Sequence, residues 1–228
     1  MELIFLRHGE PAWSVDGYSR SDPYLTERGH RQALLAAERL AADERGIAEI
    51  LVSPAVRAQE TAAPLIELTG IEPKTIDDIV EIQNPGWDGK LEEHVQDVFR
   101  QARSRPPEEW WDGLPGGESF REFHARITGA CDRLLAERSV EQDRDGRPHL
   151  WHVETDPRRI VIVAHGGTNS VALTHLLSVD PTPWEWERFV LGHASIARVK
   201  AIPLAGEHVF TLREFNDREH LPTALRTR

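Results

Sequence analysis

Leu3-Ile4-Phe5-Leu6-Arg7-His8-Gly9-Glu10 is the stretch that decides how this chain folds. Four consecutive apolar residues near the N-terminus predict a strand buried on both faces, as in a parallel sheet covered by helices. The run then breaks at an arginine, a histidine and a glycine. Open α/β sheets hold their ligands just past the carboxyl ends of the strands, so a cation and an imidazole stand where such a fold keeps its chemistry. The pattern returns at Ile160-Val161-Ile162-Val163-Ala164, which runs into His165-Gly166-Gly167. Two such strand ends predict two imidazoles converging on one pocket. From the strands alone, two unrelated histidines held by backbone partners are an equally open reading. The fold class expected is α/β, a three-layer sandwich with a mostly parallel central sheet and helices on both faces.

The segments between these strands fit that scheme. Residues 11–24 carry turn formers and aromatics and predict a loop over the end of the sheet. Thr26 is a candidate N-cap for a helix over about 27–44, stopped near Gly46. Ile50-Leu51-Val52 predicts a strand. Ser53-Pro54 then predicts a helix start, with serine as cap and proline at the first helical position. That places Arg57 in the helix's first turn, on the same rim as Arg7 and His8. Lys74-Thr75-Ile76 is a candidate edge strand, and Asn84-Pro85-Gly86 a turn. Residues 92–103 are weakly helical, 105–117 a loop containing Trp110-Trp111, and 118–138 a helix by apolar spacing. Residues 139–158 form a polar excursion, with Asp145-Gly146 as a candidate hairpin turn. A helix over 168–177 follows, then a strand over 195–202, an edge strand over 209–212 and a terminal tail. One domain over 1–228 is expected, with excursions at about 77–117 and 139–158.

Composition narrows the function. The 228-residue chain carries a net charge of −11, which disfavours nucleic acid and acidic membranes as partners. No run approaches the ~20 apolar residues that a bilayer crossing needs. The first residues read as a strand rather than a signal peptide, and the single Cys131 forms no internal disulfide; together these predict a cytoplasmic location. A cysteine-phosphatase Cys-X5-Arg motif fails, because residue 137 is glutamate. His149, His152 and Glu154 lie in a polar stretch without a convincing fourth ligand, so no metal site is read there.

Arg7-His8-Gly9 with His165 downstream resembles the histidine phosphatase superfamily, the phosphoglycerate-mutase-like fold. Further segments carry the likeness in order: Leu25-Thr26-Glu27-Arg28-Gly29 with Gln32-Ala33; Ser53-Pro54-Ala55-Val56-Arg57-Ala58-Gln59-Glu60-Thr61; Glu81-Ile82 with Gly86-Trp87-Asp88-Gly89; Gly116-Gly117-Glu118-Ser119; and Ala164-His165-Gly166-Gly167. The resemblance implies a phosphomonoester hydrolase acting on a small phosphorylated metabolite through a phosphohistidine, with no metal and no cofactor. His8 would attack as a neutral imidazole, its other ring nitrogen held by a backbone carbonyl. Arg7 and Arg57 would hold the phosphate. His165 would donate to a phosphate oxygen. Glu81 would protonate the leaving oxygen and then take a proton from water, which calls for partly dry surroundings; Glu118 is the rival acid. Gly9, Ser14, Arg20, Gly166 and Thr168 are the candidate substrate-binding residues, with Thr168 and Asn169 open between a phosphate contact and a helix cap.

The sequence departs from the phosphoglycerate mutases. Ser14 stands where they carry an asparagine, and Ile82-Gln83-Asn84-Pro85-Gly86 where they carry an Arg-His-Tyr-Gly run. This favours a hydrolase, with a cofactor-dependent mutase and a non-catalytic phospho-ligand binder as alternatives. Gly192-His193-Ala194-Ser195 replaces a common Asn-x-Ser, leaving His193 open between a pocket role and a structural one. The oligomeric state is open, a homodimer being one option.

Overall fold

The computed structural model describes residues 1–143, 149–154 and 158–228. In chain order the elements are β1 (Glu2–Arg7), β2 (Ser14–Val15), β3 (Tyr18–Ser19), α1 (Glu27–Ala41), β4 (Glu49–Val52), α2 (Val56–Thr69), β5 (Lys74–Thr75), α3 (Glu92–Arg103), α4 (Phe120–Ala136), β6 (Val140–Gln142), β7 (Trp151–Val153), β8 (Arg159–Ala164), α5 (Gly166–Leu176), α6 (Glu185–Arg188), β9 (Ile196–Leu204) and β10 (Glu207–Asp217). An eight-stranded sheet runs in the order β5-β4-β8-β1-β9-β10-β7-β6, with β2 and β3 forming a separate hairpin. β5, β4, β8 and β1 run parallel, and from β9 onward the pairing is antiparallel.

Alternation along β1 explains the layers. Leu3 and Phe5 point to one face, where they join Phe123 and Ile127 of α4 and Val171, Leu173 and Leu176 of α5. Ile4 and Leu6 point to the other, against Ala36 and Leu40 of α1 and Ala58, Ala62 and Leu65 of α2. Each fully buried large apolar side chain stabilises the fold by about 1.5–3 kcal/mol relative to exposure. A two-sided apolar run is therefore what a strand between two helical layers requires. A third cluster, Phe120, Trp184, Leu114 and Ala102 with Trp87, Phe99, Trp110, Trp111 and Trp186 against it, fastens the 82–117 excursion to the body.

Several sequence expectations are met and several corrected. Thr26 caps α1, accepting from the Gly29 N–H at 3.0 Å. The start of α2 shifts: its first helical residue is Val56, and Ser53 is not its cap. Gly70 closes that helix in the left-handed region, φ 66°. The polar excursion contributes β6 and β7, which carry buried Val140, Trp151 and Val153 and form one edge of the sheet. The candidate turn at Asp145-Gly146 lies outside the described residues. β10 is no edge strand: it lies between β9 and β7. The terminal segment is no free tail either, since Leu221 is buried and Gln32 donates to the Leu225 carbonyl and to Thr227 Oγ1, at 2.6 and 2.9 Å. Among the described residues no helix is long and apolar enough to cross a membrane.

Candidate active site

Register brings the two histidines together. β1 pairs with β8 so that Arg7 lies opposite Ala164, and the next residue on each strand is His8 and His165. The His8 N–H donates to the Ala164 carbonyl at 2.9 Å, and the ring centroids stand 5.3 Å apart. β4 lies on the far side of β8, and the Ser53 N–H donates to the Val163 carbonyl at 3.0 Å. The rim therefore reads Ser53, His165, His8 across three adjacent strand ends.

His8 is 2% exposed, and its Nδ1 lies 2.7 Å from the Gly9 carbonyl. A carbonyl only accepts, so Nδ1 carries the proton and Nε2 keeps its lone pair. Burial first, then the charges of Arg7, His165, Arg57 and His193, hold the imidazole well below the usual histidine range, in its neutral form. His165 is fully buried, and its Nε2 lies 2.7 Å from Ser53 Oγ while Nδ1 has no protein partner. Burial and the guanidiniums of Arg57 and Arg7 depress it likewise. Ser53, expected as a helix cap, is thus the hydroxyl that fixes the second imidazole.

Arg7 and Arg57 flank this pair. Arg7 donates through Nη1 to the Leu191 carbonyl, and its Nε, buried and unpartnered, lies beside Gly166; a Cβ there would sit 3.4 Å from it. Burial lowers its pKa to about 10, which leaves it charged. Arg57 is 5% exposed, stacks on Trp13 with Cζ 4.9 Å from the ring centroid, and donates to Asp22 at 3.3 Å; its Nε too has no partner. Asp22 also accepts from the Val56 N–H at 3.1 Å, so it joins the guanidinium to the start of α2.

Glu81 is half-buried, its carboxylate accepting from the Gly167 N–H at 2.8 Å and the Ile82 N–H at 3.0 Å. A Cβ on Gly167 would come within 2.5 Å of Glu81 Oε1, so only glycine lets the carboxylate approach the start of α5. Its charge acts on both Arg7 and Arg57. The rival Glu118 is occupied: Arg126 grips it with two bonds, at 2.8 and 2.7 Å, and also donates to the carbonyls of Asp78, Val80 and Glu81. Glu118 and Arg126 form a bracket that holds the Glu81 segment.

The candidate substrate-binding residues divide. Gly9 permits tight packing, since a Cβ there would lie 2.5 Å from the Gly29 carbonyl. Gly166 borders Arg7. Thr168 is not the N-cap of α5, which is His165; its hydroxyl donates to the Val80 carbonyl at 3.0 Å and anchors the segment before Glu81. Ser14 pairs with Ser19 in the small hairpin and Arg20 is exposed, and neither side chain is hydrogen-bonded to the cluster. Cys131 packs on the core with its thiol pushed up to about 12 by burial, and His152 lies 3.2 Å from Glu207, away from the site.

The sequence model of the Histidine phosphatase superfamily (branch 1) matches residues 3–217. The chain belongs to this superfamily. Among its relatives, phosphoserine phosphatase 1 of Hydrogenobacter thermophilus is 29% identical over 183 residues, covering 79% of this chain and 78% of that protein. A probable phosphoglycerate mutase of Cronobacter sakazakii is 31% identical over 142 residues, covering 59% of this chain and 63% of that one. The structure of a mycobacterial glucosyl-3-phosphoglycerate phosphatase complexed with VO3 superposes with a TM-score of 0.70 at 26% identity, covering 95% and 99% of the two chains. As a histidine phosphatase superfamily member, the chain places Arg7, His8, Arg57, Glu81 and His165 around one rim. Ser53, Asp22 and Arg126, which hold three of these, carried no signal in the sequence that separated them from caps and surface charges.

Proposed function

We propose that the chain hydrolyses phosphomonoesters of small metabolites through a phosphohistidine at His8, without a metal. The observation that carries this reading is the set of buried, unpartnered donors, Arg7 Nε, Arg57 Nε and His165 Nδ1, gathered about a neutral His8. A buried N–H left without an acceptor is costly, and phosphoryl transfer needs positioned cations more than covalent chemistry. His165 donates from Nδ1 only in the tautomer where Nε2 accepts from the Ser53 hydroxyl.

His8 Nε2 attacks phosphorus in line, a P–N bond forming as the P–O bond to the leaving group breaks. Arg7, Arg57 and His165 hold the three equatorial oxygens. Glu81, fixed by Gly167 and Ile82, passes to the departing oxygen a proton that the monoanionic form of the ester brings. Water then attacks the phosphohistidine, Glu81 takes its proton, and the P–N bond breaks to release inorganic phosphate and neutral His8.

The test is phosphate release from p-nitrophenyl phosphate and from a panel of phosphorylated metabolites that includes phosphoserine, with chelator present. Wild type is expected to turn over and to yield an acid-labile phosphoenzyme in a rapid quench, and His8→Ala to do neither. Turnover by His8→Ala overturns the mechanism. Faster transfer between phosphoglycerates than hydrolysis would make the chain a mutase.

A further inference from the structure

His193 lies between α6 and β9, in the loop that also supplies the Leu191 carbonyl to Arg7. It is 6% exposed, and its ring centroid stands 5.7 Å from that of His8. Its Nε2 lies 3.2 Å from Arg7 Nη2 and its Nδ1 2.8 Å from Thr227 Oγ1. A guanidinium has only donors, so Nε2 must accept, and the ring proton must sit on Nδ1 and go to Thr227. Both ring nitrogens are thereby used, which excludes His193 as a second nucleophile or acid. The hydroxyl that fixes this tautomer is itself held: Gln32 Nε2 donates to Thr227 Oγ1 at 2.9 Å, and Gln32 Oε1 accepts from the Glu10 N–H at 2.7 Å. The loop is seated tightly as well. The His193 N–H donates to the Thr227 carbonyl at 3.2 Å, and a Cβ on Gly192 would lie 2.9 Å from that same oxygen.

We infer that His193 is a positioning residue for Arg7: a neutral acceptor, locked by Thr227 and Gln32, that aims the unpartnered Nε of Arg7 at the phosphoryl group without cancelling its charge. The inference rests on the hydrolase reading above and adds what orients its first cation. Neutrality is the point of using an imidazole here. A carboxylate would hold the guanidinium as firmly but would neutralise it and repel an incoming phosphate. An apolar side chain would leave the charge and release the orientation. Burial, Arg7 and Arg218 keep the ring neutral, with a pKa of about 3.

Three variants separate charge from packing: His193→Gln, His193→Leu and His193→Glu. Calorimetric binding of inorganic phosphate is measured for each, with kcat and KM on p-nitrophenyl phosphate. Gln, a neutral acceptor, is expected to stay within about threefold of wild type, while Leu weakens phosphate binding about tenfold, the value of one charge-assisted hydrogen bond. Glu is expected to weaken it more than Leu despite restoring an acceptor, and the loss to appear in KM before kcat. In wild type, nitrogen NMR of the histidine rings should show His193 as the Nδ1–H tautomer. The Nε2–H tautomer, an imidazolium, or equal behaviour of Gln and Leu overturns the proposal. Phosphate affinity and the NMR signature need no turnover. If wild type releases no phosphate from any ester, the hydrolase reading fails while the test of His193 still stands.

Discussion

Acidification should destabilise this fold steeply, and buried imidazoles set the slope. His8, His165 and His193 are all held below the usual histidine value, chiefly by burial and then by the neighbouring cations. In the unfolded chain each returns to about 6.5. The sign follows: as pH falls through the unfolded value, the unfolded chain takes up protons that the folded one refuses, so stability present above 6.5 is lost below it. One such group contributes under about 0.1 kcal/mol of loss at pH 7.5 and about 1.4 kcal/mol at pH 5.5, provided its folded pKa stays below the lower pH. Three give a difference of about 4 kcal/mol. His124 and His220, also lowered chiefly by burial, add to it. Glu185 partly offsets it, because burial raises its pKa to about 7 and the folded chain takes up a proton there on acidification. Urea unfolding at the two pH values, in buffers free of phosphate, measures it. His8→Ala removes one contributor, so its gap should shrink by about 1.4 kcal/mol. A wild-type gap below about 1 kcal/mol, or an undiminished gap in His8→Ala, would refute the account of how these rings are buried.

The other predictions concern the acid and its supports. Glu81→Ala should slow hydrolysis of alkyl phosphates by about 10²–10⁴ and of p-nitrophenyl phosphate far less, because only a poor leaving group needs the proton; equal losses on both would move the acid elsewhere. Gly167→Ala drives a methyl group to 2.5 Å from Glu81 Oε1 and 2.8 Å from Trp186, and should reproduce the leaving-group dependence of Glu81→Ala. A Gly167→Ala enzyme with wild-type rates on alkyl phosphates would show that this close approach is not needed. Thr168→Val removes the 3.0 Å donor to the Val80 carbonyl, which keeps its bond from Arg126 at 3.1 Å. It should cost about 0.5–1.5 kcal/mol in urea unfolding, and an unchanged midpoint would remove the anchoring role.

How much of this was legible in the sequence depends on the range over which each residue acts. The pairing of His8 with His165 could be read because two apolar runs end in the same dipeptide, and parallel register turns equal endings into neighbours. Arg57 followed from its place in the first turn after a strand. Ser53 was misread for a physical reason: Ser-Pro before a helical pattern is a strong local cap signal, and local signals say nothing about an imidazole on the next strand. Its Oγ lies 2.7 Å from His165 Nε2 but 3.4 Å from the Ala55 N–H, so the tertiary partner took the hydroxyl. Thr168, open in the sequence between a phosphate contact and a cap, likewise gives its hydroxyl to a tertiary partner, the Val80 carbonyl. β10 was placed at an edge because its apolar spacing fades after Leu212, where register shifts at Leu212/Glu214 and Glu214/Asp217 break the two-residue period. The choice between Glu81 and Glu118 needed Arg126, a helical arginine indistinguishable in sequence from a solvated one until α4 lays it beside the Asp78–Glu81 carbonyls. The two imidazoles and Arg7 sit at strand ends and announce themselves. Those that aim the site's groups, Ser53, Asp22, Arg126 and Thr227, are polar residues whose partners lie on other elements, and three-dimensional proximity is the only property they share.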